Sequence, residues 1–155
     1  MAMPVTVSGV AVPVVSLNGE WECSGALEKE FWKPSSAIRW SKIQVPGEFA
    51  LQGFPVSDGV EYPCRRSVNI PADYAGHRIF LRFDGVYSYT RVWVNGTFVR
   101  DHQGGFTSWD CEITSLVTPG QTAELTLGIT DHRNDISQET YYAHHSILGI
   151  LRDVR

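Results

Sequence analysis

Apolar and polar residues alternate with period two along much of this chain, as in strands that turn one face to a core and the other to water. Thr122 to Thr130 shows this best: Ala123, Leu125, Leu127 and Ile129 fall on one face and Glu124, Thr126 and Thr130 on the other, with Gly128 marking a bulge or a point of close packing. Arg78 to Asp84 repeats the pattern, with Ile79, Leu81 and Phe83 inward against Arg78, Phe80, Arg82 and Asp84, and Val92 and Val94 alternate with Arg91 and Trp93. Further strands are expected over Leu17–Ser24, Ile38–Val45, Arg65–Ile70, Ser108–Ile113 and Gly149–Arg155. Short strands at this spacing, separated by Gly, Pro, Asn and Asp clusters, predict an all-β sandwich or barrel. Asn95-Gly96 joins two such runs and predicts a type I′ hairpin turn, which needs positive φ at both central residues. Asn95-Gly96-Thr97 is also a glycosylation sequon, but the turn explains it better, since a three-residue pattern recurs by chance. Gly25 to Lys33 is expected to make a helical turn or two at most, ended by Trp32 and Pro34.

A chain of 155 residues suffices for one domain with a real core, so residues 1–155 are expected to form a single β-sandwich. The net charge of −4 and the lack of a basic stripe exclude a nucleic-acid partner, which would need clustered Lys and Arg. No apolar run approaches the roughly 20 residues of a membrane span. Met1 to Ser8 carries no secretion signal, and a leader removed upstream would leave a periplasmic or secreted location open. Cys23, Cys64 and Cys111 lack zinc or thioredoxin spacing and read as buried free thiols, with pairing between two of them left open. Gly149 to Arg155 reads as a strand that stops without a polar tail, so the chain is expected to be the front piece of something longer.

Candidate chemistry is sparse. No nucleophile elbow, phosphate loop, zinc-protease helix or calcium loop is present, and Gly104-Gly105 lacks the strand-to-helix context of a phosphate cradle. Glu28, Glu30, Asp58, Glu61, Asp131 and Asp135 read as solvated acids, and the sequence reveals no carboxylate pair of the kind glycoside hydrolysis uses. His144-His145 follows Tyr141-Tyr142-Ala143. Neighbours on a strand point to opposite sides, so the histidines do not form a metal chelate, and no metal or cofactor is expected. This Tyr/His loop suits either packing at a domain junction or a polar lining for a ligand.

Several segments together resemble the N-terminal domain of family 2 glycoside hydrolases, which include β-galactosidases, β-glucuronidases and β-mannosidases. Leu17-Asn18-Gly19-Glu20-Trp21 is similar to the family's opening strand. Val45-Pro46-Gly47-Glu48-Phe49 with Leu51-Gln52-Gly53-Phe54 resembles a β-galactosidase segment. Arg65-Arg66, Ile70-Pro71-Ala72-Asp73-Tyr74-Ala75-Gly76, Phe80 to Val86, Val92 to Gly96, His102 to Thr107 and Gly149 to Val154 follow in the family's order.

The resemblance implies a jelly-roll, galactose-binding-domain-like β-sandwich at the front of a retaining enzyme, a β-galactosidase-like hydrolase of terminal β-glycosides. Its catalytic glutamates would lie in a TIM barrel beyond Arg155, after an immunoglobulin-like domain, so this chain would carry no catalytic residue and be inactive alone. The same resemblance makes Asp58, Glu61, Tyr141, Tyr142, His144 and His145 candidates for the rim of a carbohydrate site of the β-galactoside class. Ala143 stands near the place of a metal-and-sugar-binding aspartate found in part of the family, and Gln52-Gly53-Phe54 tilts the class towards galactosides. A free-standing carbohydrate-binding module and an adhesion or protein-interaction sandwich are the alternatives, since fold does not fix function.

Overall fold

The strand read most clearly from alternation lies inside the larger sheet. A computed structural model describes residues 13–25, 29–33, 38–131 and 147–155. In chain order its strands are β1 (Gly19–Cys23), β2 (Ser41–Val45), β3 (Gly47–Glu48), β4 (Glu61–Asn69), β5 (Phe80–Phe83), β6 (Val86–Tyr87), β7 (Tyr89–Val94), β8 (Thr97–Gln103), β9 (Trp109–Glu112), β10 (Thr122–Thr130) and β11 (Gly149–Ile150). Antiparallel pairing orders one six-stranded sheet as β2-β1-β4-β10-β7-β8. The sets β3-β11-β6 and β5-β9 make up the opposing layer, joined where Val154 bridges Phe83 and Arg82 exchanges backbone hydrogen bonds with Arg155. Between the layers lie Trp21, Phe49, Phe83, Leu125, Leu127, Ile129 and Ile150, all fully buried. The chain is thus an all-β sandwich.

Asn95 and Gly96 both have positive φ, 49° and 79°, as the type I′ turn requires. The Asn95 side chain fastens that turn to the body: its Nδ2 donates to Leu116 O and its Oδ1 accepts from Glu124 N, both at 2.9 Å. At the β2 edge, the Gln52 amide accepts from Gln44 N at 2.6 Å and donates to Gln44 O at 3.0 Å, closing an edge that would otherwise offer free backbone groups.

Four expectations need correction. β4 starts at Glu61, four residues before the expected Arg65, because Pro63 fits within it: Pro63 stands opposite Gly128, and its carbonyl accepts from Ser24 N. The terminal strand is short. Leu151 N and Arg152 N both turn to Gly85 O, so only Gly149–Ile150 pair as a strand before the single bridge at Val154. Cys23 and Cys64 face each other in register on β1 and β4 and are disulfide-bonded, so the free-thiol reading holds for Cys111 alone. Asp131, read as a solvated acid, is buried at the end of β10. Gly128 proves to be a close-packing point, as developed below. Among the described residues no helix is long and apolar enough to cross a membrane.

Candidate functional site

Sheet register gathers several chain segments at one end of the sandwich. Glu61, at the start of β4, pairs with Thr130, at the end of β10; Thr130 pairs with Tyr89, at the start of β7, and Tyr89 with Gln103, at the end of β8. The turn containing Asp58, the glycine pair Gly104-Gly105 and the connection leaving Asp131 therefore all emerge at this end. Leu148 returns beside Phe49, whose N–H it accepts at 2.8 Å. Of the rim candidates, Asp58 and Glu61 lie here. Tyr141, Tyr142, His144 and His145 fall outside the described residues, as do Glu28 and Asp135.

Asp58 is exposed in a turn shaped by Gly59 at φ 71°, and Tyr62 steadies the turn by accepting the Ser57 N–H on its hydroxyl at 2.7 Å. Glu61 behaves differently. Its carboxylate reaches diagonally over β10 to Arg91 on β7, accepting from Nε at 2.7 Å and from Nη2 at 2.5 Å. The two strands are not neighbours, and the bridge exists because the intervening residue is Gly128. A Cβ at that position would run into the Glu61 carboxylate and stand 2.8 Å from the Phe31 ring. Phe31, Trp32 and Trp93 close over the pair, with the Arg91 guanidinium 4.8 Å from the Trp93 ring centre. The hydrogen bond to Glu61 raises the Arg91 pKa further, so the guanidinium stays charged.

Beside this pair, Tyr89 donates to Asp101 Oδ2 at 2.6 Å, and that bond, with burial, raises the phenol pKa. His102 lies flat on Trp109 at 4.8 Å with Nε2 3.0 Å from Thr107 Oγ1. Burial, then the charge of Arg100, lowers its pKa and favours the neutral ring. Carboxylates elsewhere are also held by guanidinium groups. Asp84 lies between Arg82 and Arg155, and Glu112 is pulled down to about 2 by hydrogen bonds from Arg78 and Thr114. A general acid needs the opposite shift, towards neutral pH. The arrangement can present hydroxyl, carboxylate and imidazole groups to a polar ligand. Among the described residues it does not assemble an acid and a nucleophile.

Alternation along the strands had placed Arg91 outward, but its partnership with Glu61 depends on the strand order β4-β10-β7, which no local pattern encodes. Tyr89–Asp101 lies within the Asn95-Gly96 hairpin but depends on its register shift between Val92 and Trp93, and His102–Trp109 depends on β8 meeting β9 of the other layer.

Residues 64–155 match the family described as "Glycosyl hydrolases family 2, sugar binding domain". A β-galactosidase of Thermoanaerobacter pseudethanolicus is 31% identical over 58% of this chain and 12% of its own length. A β-galactosidase of Priestia megaterium is 28% identical over 90% of this chain and 16% of its own. A solved β-glucuronidase of Ruminococcus gnavus superposes with a TM-score of 0.77 at 21% identity, over 90% of this chain and 27% of that one, a likeness of fold. The chain thus spans less than a quarter of the length of the curated relatives it matches, 12% and 22% for the β-galactosidases of Thermoanaerobacter pseudethanolicus and Thermoanaerobacterium thermosulfurigenes. The two-layer sandwich of the described residues, the ordered motifs from Leu17 to Val154 and the match over residues 64–155 lead to one conclusion: this chain belongs to the sugar-binding domain family of the family 2 glycosyl hydrolases.

Proposed function

We propose that this chain is the sugar-binding, non-catalytic domain of a larger family 2 glycosidase that hydrolyses terminal β-glycosides, with β-galactosides the preferred class. In this reading the catalytic acid and nucleophile lie in a TIM barrel beyond Arg155, preceded by an immunoglobulin-like domain. The loop end bearing Asp58 edges the barrel's sugar site. The observation that carries the reading is the match to the sugar-binding domain alone, over residues 64–155, by a chain whose relatives are several times longer. The engagement of Glu61, Asp84 and Glu112 with arginines supports it, because a carboxylate whose oxygens are taken up by a guanidinium is not a free nucleophile, and Glu112, held at about 2, lies far below the range of a general acid.

Glucuronides are the competing substrate class, favoured by a β-glucuronidase of Bacteroides fragilis that is 39% identical over 36% of this chain. Turnover of nitrophenyl β-galactoside and nitrophenyl β-glucuronide by the complete gene product decides between them. A several-fold or greater advantage in kcat/KM for the galactoside is expected. Preference for the glucuronide overturns the choice of class, and hydrolysis of neither overturns the assignment.

A further inference from the structure

Alternation gives the outer face of the six-stranded sheet to water, yet part of that face is aromatic. Register lays one row straight across it: Lys42, Glu22, Arg65, Thr126, Trp93 and Phe98. Trp93 points away from the core and is nevertheless only 3% exposed, because residues 29–33 fold over it. Trp32 stacks on it with ring centres 4.6 Å apart and planes within 5°, and Phe31 meets it edge-on. Trp40 packs on the same small cluster, with the Arg65 guanidinium 4.3 Å above its ring and Arg65 Nε donating to Glu22 at 2.7 Å. Two half-buried indoles flank Trp93, and Phe98 beside them is 52% exposed.

We propose that this face is a second carbohydrate surface, distinct from the loop end, and that it takes a neutral oligosaccharide. A pyranose needs an aromatic plane for its C–H face and paired donors and acceptors for its hydroxyls. Trp32 and Trp40 supply the first. For the second, the Arg65–Glu22 bond among the described residues uses only Nε and Oε2, leaving two guanidinium nitrogens and Oε1 for hydroxyls. Charge selects the class of ligand. Arg65 is matched by Glu22, Arg91 by Glu61 and Lys42 by Glu20, while Glu124 and Asp101 add negative charge to the same face, so it has no positive excess to draw an anionic chain. Trp40 is tied to Arg65 of β4 and Trp32 to Trp93 of β7, and β10 lies between those strands, a lateral step of about 10 Å. That span suits consecutive sugar units of a chain better than a lone monosaccharide.

The ligand class rests on the sugar-binding reading above, but the site does not share its residues. The test titrates the chain with β-1,4-galactotetraose, and with tetragalacturonate as the anionic control, by calorimetry and tryptophan fluorescence. Saturable binding of the neutral tetraose is expected, weakened about tenfold by Trp40→Ala and by Arg65→Met, partly restored by Trp40→Phe and indifferent to Asp58→Asn, with each variant shown to be folded by a cooperative, even if lowered, melting transition. The galacturonate should give no response. Absence of saturable binding at millimolar tetraose overturns the proposal, as does binding that ignores both Trp40→Ala and Arg65→Met. Self-association abolished by Trp40→Ala would assign the face to a second copy of the chain and also overturn it. Hydrolysis of a nitrophenyl glycoside by the complete gene product does not need this face, so Trp40→Ala should leave that kcat/KM unchanged; failure of the hydrolytic reading is thereby seen separately.

Discussion

Replacing Gly128 with alanine isolates the bridge that spans the middle of the large sheet. Gly128 carries no positive φ, so alanine is compatible with its backbone, and removing chain freedom from the unfolded state stabilises by about 0.4–1 kcal/mol. Against this, the new methyl carbon enters the space of the Glu61 carboxylate and stands 2.8 Å from Phe31 Cζ. The Phe31 ring can retreat by a few tenths of an ångström. The carboxylate cannot retreat without giving up two short bonds to Arg91. The pair is 25% and 32% exposed, so its charge-assisted bonds are worth less than fully buried ones, and about 1–2 kcal/mol is a reasonable loss. The net cost is about 1 kcal/mol, or about 2–4 °C in melting temperature for a chain of this size. The decisive assay is a double-mutant cycle by urea denaturation. In a Glu61→Ala background the obstructed carboxylate is gone, so Gly128→Ala should become neutral or stabilising, giving a coupling energy of about 1 kcal/mol. Strict additivity of the two substitutions would show that the glycine is not there to let the bridge pass.

Three further outcomes follow from other parts of the structure. Glu112 is held at about 2 in the folded chain against 4.5 when free, so its stabilisation is complete above about pH 4.5 and is lost as pH falls through about 2. The stability gap between the native chain and Glu112→Gln should therefore shrink across that window. The gap is small because the ion pair faces water, and a gap independent of pH between 6 and 2.5 would contradict the assignment. Burial pushes the Cys111 thiol up to about 11, so iodoacetamide at pH 8 should leave the folded chain unlabelled, add one group after denaturation and three after reduction. Reduction of Cys23–Cys64, 41 residues apart in sequence, should lower stability by up to about 4 kcal/mol in the loop-entropy account; labelling of the native chain, or two labels without reduction, would overturn this.

The strands were legible wherever side-chain alternation was strong. Ala123 to Ile129 and Ile79 to Phe83 are buried on the faces the sequence assigns, and Phe80 is outward as read. The Asn95-Gly96 turn was legible because only positive φ suits that hairpin. What stayed hidden was everything set by which strand lies beside which. Cys23 meets Cys64, and Glu61 meets Arg91, only after β1 takes its place beside β4 and β10 between β4 and β7. Trp93 misled in a different way. Its outward direction was right, but its burial depends on Phe31 and Trp32 arriving from a segment that shows no strand periodicity. Pro63 hid the start of β4, because a proline inside a strand is tolerated only where its missing N–H is not needed.

The central claim is that this chain binds and braces but does not cleave. Its most direct test is turnover of nitrophenyl β-galactoside and nitrophenyl β-glucuronide by residues 1–155 in isolation, beside the complete gene product. The account predicts no turnover above buffer by the isolated chain and clear hydrolysis by the complete protein. Turnover by the isolated chain that is abolished on substituting Asp58 or Glu61 would contradict it.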